Sequence, residues 1–244
     1  MLRIALAEWR RLAQSFRTVN VLMFALVVAG VPWLIGLSML DALVILPFAC
    51  LPVFPVASLA VTAFAGEQPD DSVLGWVLAK AGAVALAGWL FGIATIVAAL
   101  AVLNWMNWHG KLLLPSTGIL GAAAALSLGA IAAVASAGSL AAVAAHSAPS
   151  GYRRLRLILL ATVIGLLMGP RLLPASWTGW LASDLTDAGI ARKAWLAAAL
   201  LVVLAGFLAR AAAARYSSLD SGESSPAVSS PSSSPNSEPD SGDS

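Results

Sequence analysis

The sequence predicts an all-α polytopic membrane protein, with an N-terminal interfacial amphipathic helix, six transmembrane helices and a disordered C-terminal tail. Three observations carry that expectation. Of 244 residues, 59% are hydrophobic and 11% charged, with a mean hydropathy of +0.87, whereas a soluble domain is about 45–50% apolar and about 25% charged. The apolar residues fall into runs of about 20, the length that crosses a bilayer. Charge is also segregated: residues 217–244 hold five acids and no base, so residues 1–216 hold 14 bases against 7 acids. A basic body of this kind reflects orientation in a membrane, and no nucleic-acid partner is expected. The single cysteine, Cys50, allows no intrachain disulfide and no cysteine-based metal site.

Residues 1–19 are expected to form the interfacial helix. Arg3, Arg10, Arg11 and Arg17 interrupt the stretch where a signal peptide would need an unbroken apolar core. Leu2, Ala5, Trp9, Leu12 and Phe16 step by three and four and share one helical face. Arg3, Arg10 and Arg17 recur every seven residues on another, which suits arginines facing phosphates with Trp9 at headgroup depth. A cytosolic helix packed on a partner is the alternative.

Residues 20–215 are assigned to six spans. The first is Val21–Leu40, with a kink expected at Pro32. The second, Leu43–Ala65, contains Pro47, Pro52 and Pro55 and should be bent or broken, because each proline removes a backbone donor. The third runs from Val77 or Leu78 to Leu103, the fourth from Ile119 to Ala145, the fifth from Leu155 through Leu167 toward Leu173, and the sixth from Ala194 to Ala212. With the N-terminus inside, inner segments hold ten bases (Arg3, Arg10, Arg11, Arg17, Lys80, Arg153, Arg154, Arg156, Arg210, Arg215) and outer ones four (Lys111, Arg171, Arg192, Lys193). That split follows the positive-inside bias and makes both termini cytoplasmic. Trp105, Trp108, Trp177 and Trp180 then fall in the two longer outer loops as interfacial anchors. Residues 216–244 form the tail: from Ser217 on, 13 of 28 residues are serine and 4 proline, with no aromatic, too polar to offset the entropy of ordering.

Catalytic signatures are sparse. The chain has no P-loop pattern and no H-E-x-x-H. Its two histidines, His109 and His146, fall on opposite sides of the expected bilayer and cannot share a metal. Ser139 and His146 share a helical face, but two turns separate them by about 10 Å, beyond the reach of a nucleophile and its base. Neither enzymatic activity nor a cofactor is expected. The fourth span carries small residues four apart (Gly121, Ala125, Gly129, Ala133, Ala137, Ala141, Ala145), a pattern suited to close helix packing. Asp41, Glu67, Lys80 and Arg171 all lie near span ends. The absence of a central carboxylate argues against ion-coupled transport and fits a pathway for an apolar or amphipathic substrate, or none.

The stretch from Phe64 to Lys80 joins spans two and three on the cytoplasmic side. Phe64, Gly66 and Glu67 open it; Ser72, Val73 and Leu74 follow, and Lys80 comes after Ala79 at the start of the next span. Here the chain resembles the membrane (permease) subunits of type-2 ABC transporters, which share the interfacial helix, the six spans and a segment of the form F-x-G-E…T-l-e…G-K. The resemblance covers about residues 1–215 as architecture and this motif at residue level. It implies a permease subunit of an ABC-type exporter in a bacterial cytoplasmic membrane, working as a homo- or heterodimer with a separate ATP-binding subunit. Phe64, Gly66, Glu67, Ser72, Leu74 and Lys80 would form the ATPase-contact segment. The segment is shorter than is usual in the family, and Gln68, Pro69, Asp70 and Asp71 stand where basic residues usually follow the glutamate. Two alternatives remain: an ordinary helix exit with Asp70, Asp71 and Ser72 capping the next helix, and a non-transporting scaffold or assembly factor.

Overall fold

A computed structural model describes residues 30–64, 72–108, 110–144, 150–158 except 152 and 156, 179 and 183–223, with side chains through 218. Regular structure among them is entirely helical: α1 (Gly30–Leu40), α2 (Ala42–Ala49), α3 (Val53–Phe64), α4 (Val73–Met106), α5 (Thr117–Val143) and α6 (Asp187–Glu223). Four units are long and apolar enough to cross a membrane: α2 with α3, α4, α5, and α6 through Ser218. These four units make the chain an all-helical protein of membrane-spanning composition among its described residues. The interfacial helix of residues 1–19, the start of the first span, the body of the fifth and the tail beyond Glu223 lie outside the described residues.

Local chemistry explains where the helices break. The second half of α1, Gly36–Leu40, is a 3-10 turn. The change falls at Gly36, whose φ of +59° suits a residue without Cβ, and not at Pro32, where the sequence suggests it. Asp41 then caps α2, its carboxylate accepting from the Leu43 amide at 3.0 Å. The proline-rich span is broken, as expected. Pro52 and Pro55 cannot donate to Phe48 and Leu51, and those carbonyls instead accept from Leu51 (3.1 Å) and Phe54 (3.3 Å) in tighter turns between α2 and α3.

The long helices alternate in direction except for the last pair. α3 and α4 meet at one end of the bundle, and α4 and α5 at the other; α6 runs parallel to α5. Helix α5 is central and packs against α2, α3, α4 and α6. It is also the helix built mainly of Ala, Gly and Ser, and small side chains let several backbones approach it closely. Its closest partner is α6, which turns Ala191, Ala194, Ala198, Ala205, Ala209 and Ala212 inward. The large residues of α6 face outward, Leu200 at 71% and Phe207 at 67% exposure. A soluble bundle would bury them; lipid tails make the reverse arrangement stable.

Between α4 and α5, Asn104 fixes the turn. Its side-chain amide donates to Leu100 O and Leu113 O at 2.8 and 2.9 Å and accepts from the Leu113 amide at 2.6 Å. At the start of α6, the Thr186 hydroxyl accepts from the Gly189 amide and donates to Asp184. Asp184 also receives Arg192 at 2.9 Å. The Thr186 hydroxyl first, then the charges of Arg192 and Lys193, hold the Asp184 carboxyl below the usual carboxylate range. A carboxyl whose folded pKa is depressed stabilises the fold above its unfolded value, about 3.9, and loses that contribution as pH falls through the folded pKa. The protection of the Gly189 amide, its exchange rate relative to that of an unprotected amide at the same pH, should therefore fall below about pH 4 in the wild type and change less with pH in Asp184→Asn. An identical pH profile in the two proteins would refute the assignment.

At the C-terminus, α6 runs on to Glu223, past the point where the sequence suggests a tail. Within this extension Ser217 and Ser218 turn their hydroxyls back to Ala214 O and Arg215 O at 2.9 and 2.8 Å.

Candidate functional site

The shared end of α3, α4 and α6 holds a buried cation inside aromatic rings. Helix α3 is described as far as Phe64, and two of its last described carbonyls accept from other helices. Lys80 of α4 donates from Nζ to Ala63 O at 2.8 Å, and Tyr216 of α6 donates its hydroxyl to Phe64 O at 3.3 Å.

Trp76 and Lys80 are four apart and share a face of α4. The Lys80 ammonium sits 4.8 Å from the Trp76 ring centroid and 5.9 Å from that of Phe64, within cation–π range. Trp76 meets Phe64 at 5.4 Å and Tyr216 at 5.2 Å, edge to face in both pairs. Lys80 is 2% exposed, Phe64 1% and Trp76 6%. A lysine so buried is stable here because a carbonyl and two π faces replace its water.

Depth follows from α4 itself. Lys80 and Trp105 lie about 37 Å apart along the helix at 1.5 Å per residue, close to the hydrocarbon thickness plus part of the headgroup layers. The two residues therefore lie far enough apart along α4 to be at opposite faces of a bilayer that this helix crossed. Lys80, Arg153, Arg154, Arg210 and Arg215 gather at the Lys80 end; Arg154 donates to Ala144 O at 2.7 Å, beyond the end of α5. Lys111, Arg192 and Lys193 lie at the other.

The expected contact segment is thus partly assembled. Phe64 and Lys80 come together. Ser72 holds the N-cap position of α4, with its carbonyl accepting from Trp76 N at 3.0 Å, but its side chain makes no cap bond. Leu74 is 39% exposed and stands outside the aromatic cluster. Gly66 and Glu67 lie outside the described residues. Of the expected anchors, Trp105 is 81% and Trp108 66% exposed at the opposite end; Arg3, Trp9, Arg10, Arg17, Trp177 and Trp180 lie outside the described residues. Trp76 and Tyr216 are the members that sequence reasoning does not single out. The available signal is an aromatic one turn before Lys80 and another closing the last apolar helix.

Among the described residues no three His, Cys, Asp or Glu side chains group to hold a metal. Ser139 donates to Ser136 O at 2.7 Å within its own helix, and Thr95 and Ser127 likewise bond back to Phe91 O and Ala124 O. The arrangement at Lys80 joins the described end of α3 and the start of α4 to α6. Family models, curated proteins and solved structures contain no match to this chain.

Proposed function

We propose that this chain is the membrane-spanning permease subunit of an ABC-type exporter. In this reading it has six spans with both termini cytoplasmic in a bacterial inner membrane, and acts as a dimer with a separate ATPase. The observation that supports it most is the joining of Phe64 and Lys80, the two ends of the family-like motif, in one buried cluster at the end richer in bases. A rigid anchor on either side of residues 65–71 is what a docking segment needs if a partner's movement is to reach α3, α4 and α6 together. The described interior offers hydroxyls already bonded to their own helices, which suits an apolar or amphipathic substrate.

Two measurements test the proposal. Reporter fusions should read outside at Gly110 and Thr178 and inside at Gly151 and Ser218; an inside signal at Gly110 refutes the orientation. Pulldown of the chain should recover a nucleotide-binding subunit, and Glu67→Lys should reduce that recovery. Loss of a charge-assisted hydrogen bond of about 1.5–3 kcal/mol corresponds to roughly 10- to 150-fold in affinity. No ATPase with the wild type would favour the scaffold reading, in which the same tightly packed bundle assembles or anchors a complex.

A further inference from the structure

The opposite end of the bundle carries a cavity of about 400 Å³ between α4, the turn after it and α5. Its wall on α4 runs from Ile93 to Asn104, about 16 Å at 1.5 Å per residue. That is close to half of a hydrocarbon core of about 30 Å. The cavity therefore reaches from the Trp105 interface to about the bilayer midplane, one leaflet deep. Its walls are apolar apart from Asn104, and the Asn104 amide is already bonded to Leu100 and to both backbone groups of Leu113.

The cavity is held open at both ends. The Asn104–Leu113 bonds fix the segment that forms one wall. One turn beyond Ile93, the Trp89 indole donates to Ala124 O at 2.9 Å and pins α4 to α5. At the interfacial end, Lys111 adjoins the lining residue Leu112; it is exposed and makes no hydrogen bond or ion pair among the described residues. Trp105 and Trp108 flank the same region with rings suited to headgroup depth.

We propose that this cavity is a binding site for an anionic glycerophospholipid, with one acyl chain in the cavity and the phosphate at Lys111. The depth selects a single-leaflet chain, the apolar wall excludes a polar solute, and the cation selects the headgroup. The site does not depend on the transport proposal: it needs no ATPase, and either reading of the chain's function leaves it intact.

Native mass spectrometry of the full chain, equilibrated with vesicles of equimolar phosphatidylglycerol and phosphatidylcholine, tests it. The wild type should retain one phosphatidylglycerol with about tenfold preference. Val97→Trp and Ala101→Phe fill the cavity from exposed lining positions. Each should lose the retained lipid about tenfold while the melting temperature stays unchanged. Lys111→Gln should keep a bound lipid but bring the two headgroups to parity. Equal retention in the filled variants and the wild type, or no headgroup preference in the wild type, overturns the proposal. So does protection of Ala101→Cys (in a Cys50→Ala background) from a bilayer-soluble maleimide after lipid is stripped, because another segment or a second copy would then fill the space.

Discussion

Gly129→Leu should strip more stability from this bundle than the same change at any lipid-facing glycine. A Cβ at Gly129 would stand 2.8 Å from the Ala198 carbonyl oxygen, 3.2 Å from the Leu201 Cβ and 3.3 Å from the Ala198 Cα. None of these is the tip of a flexible side chain, so α5 and α6 must separate or shear along their closest contact. Overpacking of this kind costs about 1–3 kcal/mol, and more where backbone must move. Gly82 supplies the control. It lies on an exposed face of α4 with no atom within 4 Å of a Cβ, and replacing a mid-helix glycine there gains up to about 1 kcal/mol in propensity. Thermal melting in mild detergent should place Gly129→Leu several degrees below the wild type, at about 2–4 °C per kcal/mol for a chain of this size, and Gly82→Leu at or above it. Equal melting of the two variants would mean that α5 and α6 do not pack at Ala198.

The small-residue pattern shows how far sequence alone reaches here. Gly129 does face the alanine side of α6, as a close-packing stripe implies. A strict step of four residues, however, advances about 400° on a helix of 3.6 residues per turn, so it winds by about 40° per step. By Gly138, one residue off the stripe, α5 faces a different neighbour: a Cβ there would collide with the Ala60 Cβ of α3. Which small residue serves which partner depends on tertiary placement that periodicity does not encode. Helix ends were similarly hidden. Hydropathy starts the third span at Val77 or Leu78, but α4 begins at Val73; Thr186 caps α6 well before its apolar run. The break at Pro52 and Pro55 was legible because a missing donor is a local fact. Phe64 and Lys80 stand out in the sequence as the two ends of one short segment, but nothing in that segment says that they meet around Trp76. Tyr216 was not legible, because it reaches Phe64 across 152 residues.

Trp76→Ala should be the most damaging change at the Lys80 junction. It removes a nearly buried indole that touches Phe64, Tyr216 and the ammonium at once. Truncation of a buried aromatic costs about 3–5 kcal/mol, and here it also leaves a cation with less of its compensating surroundings. Lys80→Met should be milder. It keeps an unbranched apolar chain of similar length against the same rings and gives up the bond to Ala63 O, worth about 1.5–3 kcal/mol for a charged donor. The double variant separates the two effects. If Trp76 stabilises the fold partly by solvating Lys80, removing the charge first makes loss of the ring less costly. The double variant should then fall short of the sum by about 0.5–3 kcal/mol. Tyr216→Phe combined with Trp76→Ala serves as the comparison, since it tests ring contact and hydroxyl bonding without altering charge. Denaturation midpoints of the single and double variants measure the coupling. Strict additivity of Trp76→Ala and Lys80→Met would show that the indole only fills space and contributes nothing to holding the cation.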